Sequence, residues 1–380
     1  MRLLQSLSLV LLITSAPIML KASSTKQVLP IPDGRASRII PPSNPDNFYF
    51  VVSGDNRSVM RDVPMPPTAP EIFKEIALIH PSITLWTGDS IYGFGDTPGE
   101  ATREYNLFLN AAAKSNTPIY NAPGNHEVPD NPVMQAIYEK KMGRIYGSFD
   151  CGKSHFIVVD TEEPHVKGGI SPAQMTWLKS DLEANKGAAH IFAFMHHPIY
   201  PVVESEGIHS MKTRHALEDL FEQYHVEYVF SGHEHLYHES IHNGTHYIIS
   251  GGGGAPLDAA PQDGGFEHYI LVHVDGSKIT ATVLQPWRLF CKVGPIEADG
   301  SDTAFVENYN RDYVPVQVEF PSGLLKPGTT TVTAYASYKK QKTAIDARIV
   351  PCDDPGMLAV SLIAPPAVGT VIRITPQTVK

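Results

Sequence analysis

Only three cysteines occur among 380 residues, which excludes a disulfide scaffold and a thiolate zinc site. In an oxidising compartment Cys291 and Cys352 are the candidates to pair, leaving Cys151 odd, although spacing does not fix that pairing. Positive charge is also scarce: 30 Lys and Arg against 40 Asp and Glu give a formal net charge of −10. That sign excludes a protein that grips nucleic acid or anionic lipid by bulk electrostatics, so any phosphate must be attracted locally. Long apolar runs are missing as well. The stretch from Leu7 to Leu20 is broken by Ser8, Thr14, Ser15 and Pro17 and is shorter than the roughly 20 residues of a membrane-spanning helix. Arg2 before it and Lys21-Ala22-Ser23-Ser24 after it give residues 1–22 the shape of a signal peptide, predicting a secreted or periplasmic protein with no transmembrane segment after signal removal. The run Gly251–Gly254 has no Lys-Ser/Thr after it and is no P-loop, and His233-Glu234 lacks the His spacing of a helical zinc protease. What the chain has in quantity is 17 His and 40 carboxylates, the nitrogen and oxygen donors of a His/Asp metal site.

Residues 23–46 are rich in Ser and Pro and carry no periodicity, which reads as a linker. Thereafter apolar strands alternate with amphipathic segments. Strand Phe48–Val52 ends in Gly54-Asp55, and a helix with Ile72, Phe73, Ile76 and Ile79 on one face follows. Strand Ile83–Trp86 ends in Gly88-Asp89, and strand Pro118–Asn121 ends in Gly124-Asn125-His126-Glu127. Strand Ile191–Met195 leads to His196-His197-Pro198, and Glu227–Ser231 leads to Gly232-His233-Glu234-His235. This alternation predicts an α/β fold with largely parallel pairing. Tyr247–Ser250, His268–Val274 and Lys278–Leu284 lack intervening helices and are expected to complete the sheets as antiparallel strands. Residues 47–287 then form one catalytic-sized domain, and 288–380, with strand-like runs separated by Gly and Pro, a small β domain.

Asp55, Asp89, Asn125, His196, His233 and His235 each follow the carboxyl end of a predicted strand, where ligand sites of α/β sheets form. A pair of metal ions needs a bridging carboxylate, separate side ligands and an exchangeable water, and these residues supply the protein's share. The ordered blocks Gly54-Asp55, Gly88-Asp89, Gly124-Asn125-His126-Glu127, His196 before Pro198 and Gly232-His233-Glu234-His235 resemble those of the calcineurin-like metallophosphoesterases. Tyr92, three after Asp89, and Gly232-His233-Glu234-His235-Leu236-Tyr237 resemble the purple acid phosphatases. The resemblance implies a four-layer α/β/β/α metallophosphoesterase sandwich, here with the small C-terminal β domain. It also implies two metal ions of the Fe, Zn or Mn kind, one held by Asp55, Asp89, His235 and Tyr92 and the other by Asp89, Asn125, His196 and His233.

Asp55-Asn56-Arg57 departs from the family, whose first block usually carries a ligand His, or Gly in purple acid phosphatases, where Arg57 stands. Arg57 either reaches a phosphate oxygen with its planar fork or pairs with a carboxylate such as Asp62. The resemblance implies hydrolysis of a small phosphate ester, in the first instance a phosphomonoester, by a metal-bound hydroxide. His126 is the natural general acid, its imidazole suited to proton transfer, with Glu127 or Asp160 to orient it. Of the pair His196-His197, alternation along a strand lets one reach a metal, and the family block favours His196. A phosphodiesterase or nucleotide-processing enzyme on the same core, and a non-catalytic phosphate- or partner-binding protein, are the alternatives.

Overall fold

The computed structural model describes residues 42–376 apart from 129, 164, 167, 322–329, 339–340, 353 and 355. The expected signal peptide and nearly all of the expected linker lie outside the described residues. In chain order the first elements are β1 (Asn47–Ser53), α1 (Thr68–Ile79), β2 (Ile83–Trp86), α2 (Pro98–Ala112), β3 (Ile119–Asn121), α3 (Pro132–Lys141), β4 (Gly147–Cys151), β5 (Ser154–Val158), α4 (Pro172–Asn185), β6 (His190–Phe194), α5 (Met211–Gln223), β7 (Tyr228–Ser231), β8 (Tyr237–His242), β9 (Thr245–Ser250), β10 (Tyr269–Asp275) and β11 (Lys278–Leu284). Helices α2 to α5 start where the sequence provides a cap. Thr97, Asn131, Ser171 and Ser210 each accept a hydrogen bond from a first-turn amide, and Pro follows the cap in α2, α3 and α4, where its fixed φ suits the first helical position.

The strands form a five-stranded sheet in the order β11-β10-β1-β2-β3 and a six-stranded sheet in the order β4-β5-β6-β7-β9-β8. Strands β1, β2 and β3 run parallel, as do β5, β6, β7 and β9. Alternation along β1 sends Phe48, Phe50 and Val52 into the layer between the two sheets, where they meet Phe156, Phe192 and Phe230, and turns Val51 toward the α1 side. A third apolar layer joins the far face of the six-stranded sheet to α4 and α5 through Ile157, Ile191, Leu178, Leu217 and Phe221. These layers give the α/β/β/α sandwich that the resemblance implies. Strands β10 and β11 pair antiparallel as expected, but β9 lies parallel to β7, because hairpin strand β8 passes to the sheet edge and returns the chain beside β7.

The chain continues as β12 (Leu289–Val293), β13 (Asp302–Asn308), β14 (Val314–Pro321), β15 (Thr330–Tyr338), β16 (Gln341–Ile345), β17 (Ala347–Val350), β18 (Met357–Ala364) and β19 (Val368–Pro376). They form a sheet β12-β13-β19-β15-β16 and a sheet β14-β18-β17, so the C-terminal region is β-rich. Val314, Val316 and Phe320 belong to the same buried cluster as Ile72 and Phe73 of α1, which ties this region to the outer helical layer. The three cysteines are free thiols; Cys291 lies on β12, and Cys352 follows β17, a strand of the other sheet. No helix among the described residues is long and apolar enough to cross a membrane.

One buried acid crosses the boundary between the two regions. Glu75 of α1, 1% exposed, accepts hydrogen bonds from the Tyr269 hydroxyl at 2.6 Å and from the backbone amides of Arg288 at 3.0 Å and Leu289 at 3.2 Å. Burial, outweighing those three donors, pushes its carboxyl up to about 7. The folded protein therefore holds a proton that the unfolded chain releases near 4.5, and stability falls as pH rises from about 4.5 to 7, by roughly 3 kcal/mol from this group. Glu75→Gln keeps the acceptor without the titration, so its denaturation midpoint should lose that slope, as urea unfolding at pH 5, 6, 7 and 8 would read.

Candidate metal centre

Five loops bring the predicted donors together at the carboxyl ends of β1, β2, β3, β6 and β7. Asp55, Asp89 and His196 offer ligand atoms within 4.8 Å of one another, and so do His196, His197 and His233. Asp55 is 0% exposed and Asp89 1%. The backbone there is unusual: Asp55, Asp89 and His233 have φ of 58°, 54° and 71°, a left-handed conformation that side chains disfavour and that functional sites retain. Close approach also explains two of the glycines. A Cβ on Gly124 would collide with Asp89 Oδ1, and one on Gly232 with Asp55 Oδ2.

Each predicted ligand histidine has one nitrogen committed to a neighbour and the other aimed into the cluster. In His196, Nδ1 sits 2.8 Å from the Thr87 carbonyl oxygen, while Nε2 lies 2.8 Å from Asn125 Oδ1 and 3.4 Å from Asp89 Oδ1. In His233 the arrangement is reversed: Nε2 is 3.2 Å from Glu206, and Nδ1 is 3.2 Å from Asn125 Oδ1 and 3.1 Å from His196 Nε2. In His235, Nδ1 is 2.6 Å from the Pro256 carbonyl oxygen, and Nε2 faces Asp55 Oδ1 at 3.8 Å. A carbonyl or carboxylate that takes one N–H fixes the tautomer and leaves the other nitrogen's lone pair free, the usual support of a metal-binding imidazole.

Electrostatics point the same way. Burial, and then the charge of Asp89, hold the Asp55 carboxyl well above its ordinary range. Burial acts on Asp89 too, but His196, His126, Arg57 and His233 together reverse it, and that carboxyl lies below the usual range. Burial lowers His196; burial, with His196 and His197 beside it, lowers His233. The lowering of His196 and His233 favours the neutral, lone-pair-bearing form that a metal binds. Asp55 Oδ2 is buried with no hydrogen-bond partner in the protein, an orphaned acceptor that a cation would satisfy. The donor set fits divalent or trivalent ions of the Zn, Mn and Fe kind.

The other predicted residues fall around this cluster. Arg57 Nε lies 3.3 Å from Asp89 Oδ2, while Asp62 pairs with Arg103 instead. His126 donates its backbone N–H to Asp89 Oδ1 at 3.2 Å, holds Nε2 3.8 Å from Asp89 Oδ2 and rests Nδ1 on the Tyr92 carbonyl oxygen. Neither expected orienter touches its ring. Glu127 spends both oxygens on the backbone amides of Asp89, Ser90 and Gly124, and Asp160 accepts from the Glu162 amide. Burial, and then Asp89, push Glu127 up to about 8; its position makes it a clamp that holds the second and third ligand loops in register. The Tyr92 ring packs beside Phe94 and His126, with centroids 6.5 and 5.7 Å away. Both members of the His196-His197 pair approach the cluster, contrary to the alternation expected of a strand, because β6 ends at Phe194. His197 places its ring 4.0 Å from that of His233 and pairs through Nδ1 with Glu162.

Arg57, Asp89, Asn125, His126, His233 and His235 line a cavity of 500 Å³, walled further by Val202, Val203, Glu206, Glu234, Leu236, Asp258, Ala259 and Asp263. Sequence reading passed over Glu206 and Asp258, which lie in loops without periodicity. They acquire meaning through contact with His233 and with His235, whose backbone N–H donates to Asp258 at 2.8 Å.

The sequence profile of the calcineurin-like phosphoesterases matches residues 65–237. Purple acid phosphatase 23 of Arabidopsis thaliana is 30% identical over 162 residues, which cover 37% of this chain and 35% of that protein. The chain spans about a third of the length of the curated relatives matched first. The structure of a purple acid phosphatase from yellow lupin (Lupinus luteus) seeds superposes with a TM-score of 0.52 at 16% identity, covering 66% of this chain and 53% of that one. A dimetal phosphatase from Danio rerio does so with a TM-score of 0.51 at 12% identity, covering 62% and 95%. The order of ligand loops, the layered fold and the profile match agree: this chain carries a calcineurin-like phosphoesterase domain and resembles the purple acid phosphatases.

Proposed function

We propose that the chain is an exported, dinuclear metal-dependent phosphatase of phosphomonoesters. The observation that carries this reading is the convergence of Asp55, Asp89, Asn125, His196, His233 and His235 with each imidazole's free nitrogen aimed at the cluster. Asp55, Asp89, His235 and Tyr92 would hold one ion, and Asp89, Asn125, His196 and His233 the other. Bound ions would lower the pKa of a water to supply the nucleophile and would polarise the phosphoryl oxygens. The protein's own groups do the rest. Arg57, on the cavity wall, offers its guanidinium N–H donors to a phosphate oxygen and offsets the charge that builds on it. Its ion pair with Asp89 anchors that fork. His126, fixed at Nδ1 by the Tyr92 carbonyl, presents Nε2 to the cavity and delivers a proton from that atom to the departing alkoxide.

Hydrolysis of a nitrophenyl monoester and the matching bis-ester, each with and without chelator, tests this reading. Chelator-sensitive turnover of the monoester is expected. Faster turnover of the bis-ester would make the protein a diesterase, and inactivity toward both with metals bound would make it a binding protein. Tyr92 has its own signature. A phenolate on ferric iron absorbs visible light, so the natively purified protein should be coloured and Tyr92→Phe bleached. A colourless, zinc- or manganese-loaded protein of full activity would remove Tyr92 from the ligand set.

A further inference from the structure

The cavity has two ends of unlike chemistry. At its floor lie the donor cluster, with the fully buried and unpartnered Asp55 Oδ2 beneath it, and the phosphate-facing groups Arg57 and His126. Toward the mouth the wall consists of Val202 and Val203, which are 49% and 52% exposed, Ala259, and three carboxylates, Glu206, Asp258 and Asp263, while Leu236 lines the cavity from a buried position. Arg57 is the single Lys or Arg among the lining residues, and it sits at the floor. Two of the carboxylates are fixed in place. Glu206 is held by His233 Nε2 and by the Ser205 hydroxyl at 3.0 Å, and Asp258 by the His235 amide. Among the described residues, the Asp263 carboxylate takes a weak contact from its neighbour Gln262, at 3.3 Å. Glu234 is spent differently: its two oxygens take the amides of Val202 and Val203 at 2.8 and 2.7 Å and pin the apolar wall.

A phosphomonoester seated on the floor must direct its alcohol toward this mouth. We propose that the alcohol it accepts is cationic: the site takes phosphate monoesters of amino alcohols, the phosphoethanolamine and phosphocholine class, in preference to esters whose alcohol carries further negative charge. This rests on the hydrolase reading above. The physical reason is local. The ions and Arg57 satisfy the phosphate, but among the described lining residues no Lys or Arg stands beside Glu206, Asp258 and Asp263, so a second anionic group there meets like charge while an ammonium meets opposite charge. Val202, Val203 and Leu236 offer methyl and methylene contacts to an alkylammonium, which is less strongly hydrated than a bare ion.

The test uses the full-length, metal-loaded protein and three esters of two-carbon alcohols: O-phosphoethanolamine, ethyl phosphate and phosphoglycolate. We expect KM to rise in that order, by about tenfold or more from the first to the last, and the spread to shrink at high ionic strength, as exposed charge pairs are screened. Asp263→Asn should raise KM for O-phosphoethanolamine about threefold and lower it for phosphoglycolate. Equal KM values, or a lower one for phosphoglycolate, with turnover intact, would overturn the substrate class and leave the hydrolase standing. KM values that Asp263→Asn leaves unmoved would overturn the role given to the mouth carboxylates. Absence of turnover with all three esters and with nitrophenyl phosphate would overturn the hydrolase reading and this inference with it.

Discussion

Asp89→Asn should leave a folded protein that binds neither metal and turns over at least about a thousandfold more slowly, a loss of roughly 4 kcal/mol of transition-state stabilisation. Asp89 is the residue on which the cluster closes. Its oxygens face His196 at 3.4 Å, Arg57 at 3.3 Å and His126 at 3.8 Å, and its charge is held on by those neighbours against burial. An amide has the same shape but cannot bridge two cations. Asn also tolerates the left-handed backbone at this position, φ 54°, better than most residues, so the fold should survive the change. The measurement is metal content by elemental analysis beside thermal melting and turnover. A variant that retains two ions per chain and most of its activity would remove Asp89 from the bridging position.

His126→Ala should keep both metals and lose about a hundredfold or more in kcat on an alkyl phosphate, while nitrophenyl phosphate slows far less. Nitrophenolate departs without a proton, and ethoxide does not. The backbone N–H of residue 126 still reaches Asp89 Oδ1 in the alanine variant, so the loop is retained. Burial lowers the imidazole, and Arg57 and His196 add to this against the pull of Asp89. The acid form therefore dominates only below the ordinary histidine range, and bound cations push in the same direction. In the unsubstituted protein the rate on the alkyl ester should rise as pH falls toward that value, and the rise should disappear in His126→Ala. Equal slowing of both esters would remove His126 from proton transfer and leave it a packing residue.

Legibility in the sequence followed periodicity. Strands β1, β2, β6 and β7 are short apolar runs followed by Gly-Asp, His-His or Gly-His, and that punctuation located the ligand loops before any geometry was known. Helices α3 and α4 were harder to read. The charged and polar residues of Pro132–Lys141 and Pro172–Asn185 leave few buried positions, Met134 and Tyr138 in one and Gln174, Leu178 and Leu182 in the other, so a 3.6-residue stripe hardly appears. The parallel placement of β9 was equally invisible, since a hairpin connection carries no mark of which neighbour its returning strand will choose.

The site divides in the same way. Residue type and order in the chain were enough to nominate Asp55, Asp89, Asn125, His196, His233 and His235, because metal donors are few in kind and the loops that carry them follow strands. Which nitrogen of each histidine faces the cluster, which carbonyl holds His126, and what Glu127 clamps are properties of contact between segments dozens of residues apart. So is the acidic mouth, where Glu206 meets Asp258 and Asp263 from a segment some fifty residues further along the chain. Chain order dictates local conformation through short-range sterics and burial, but partners across loops are chosen only when two sheets have packed and their strand ends share one rim.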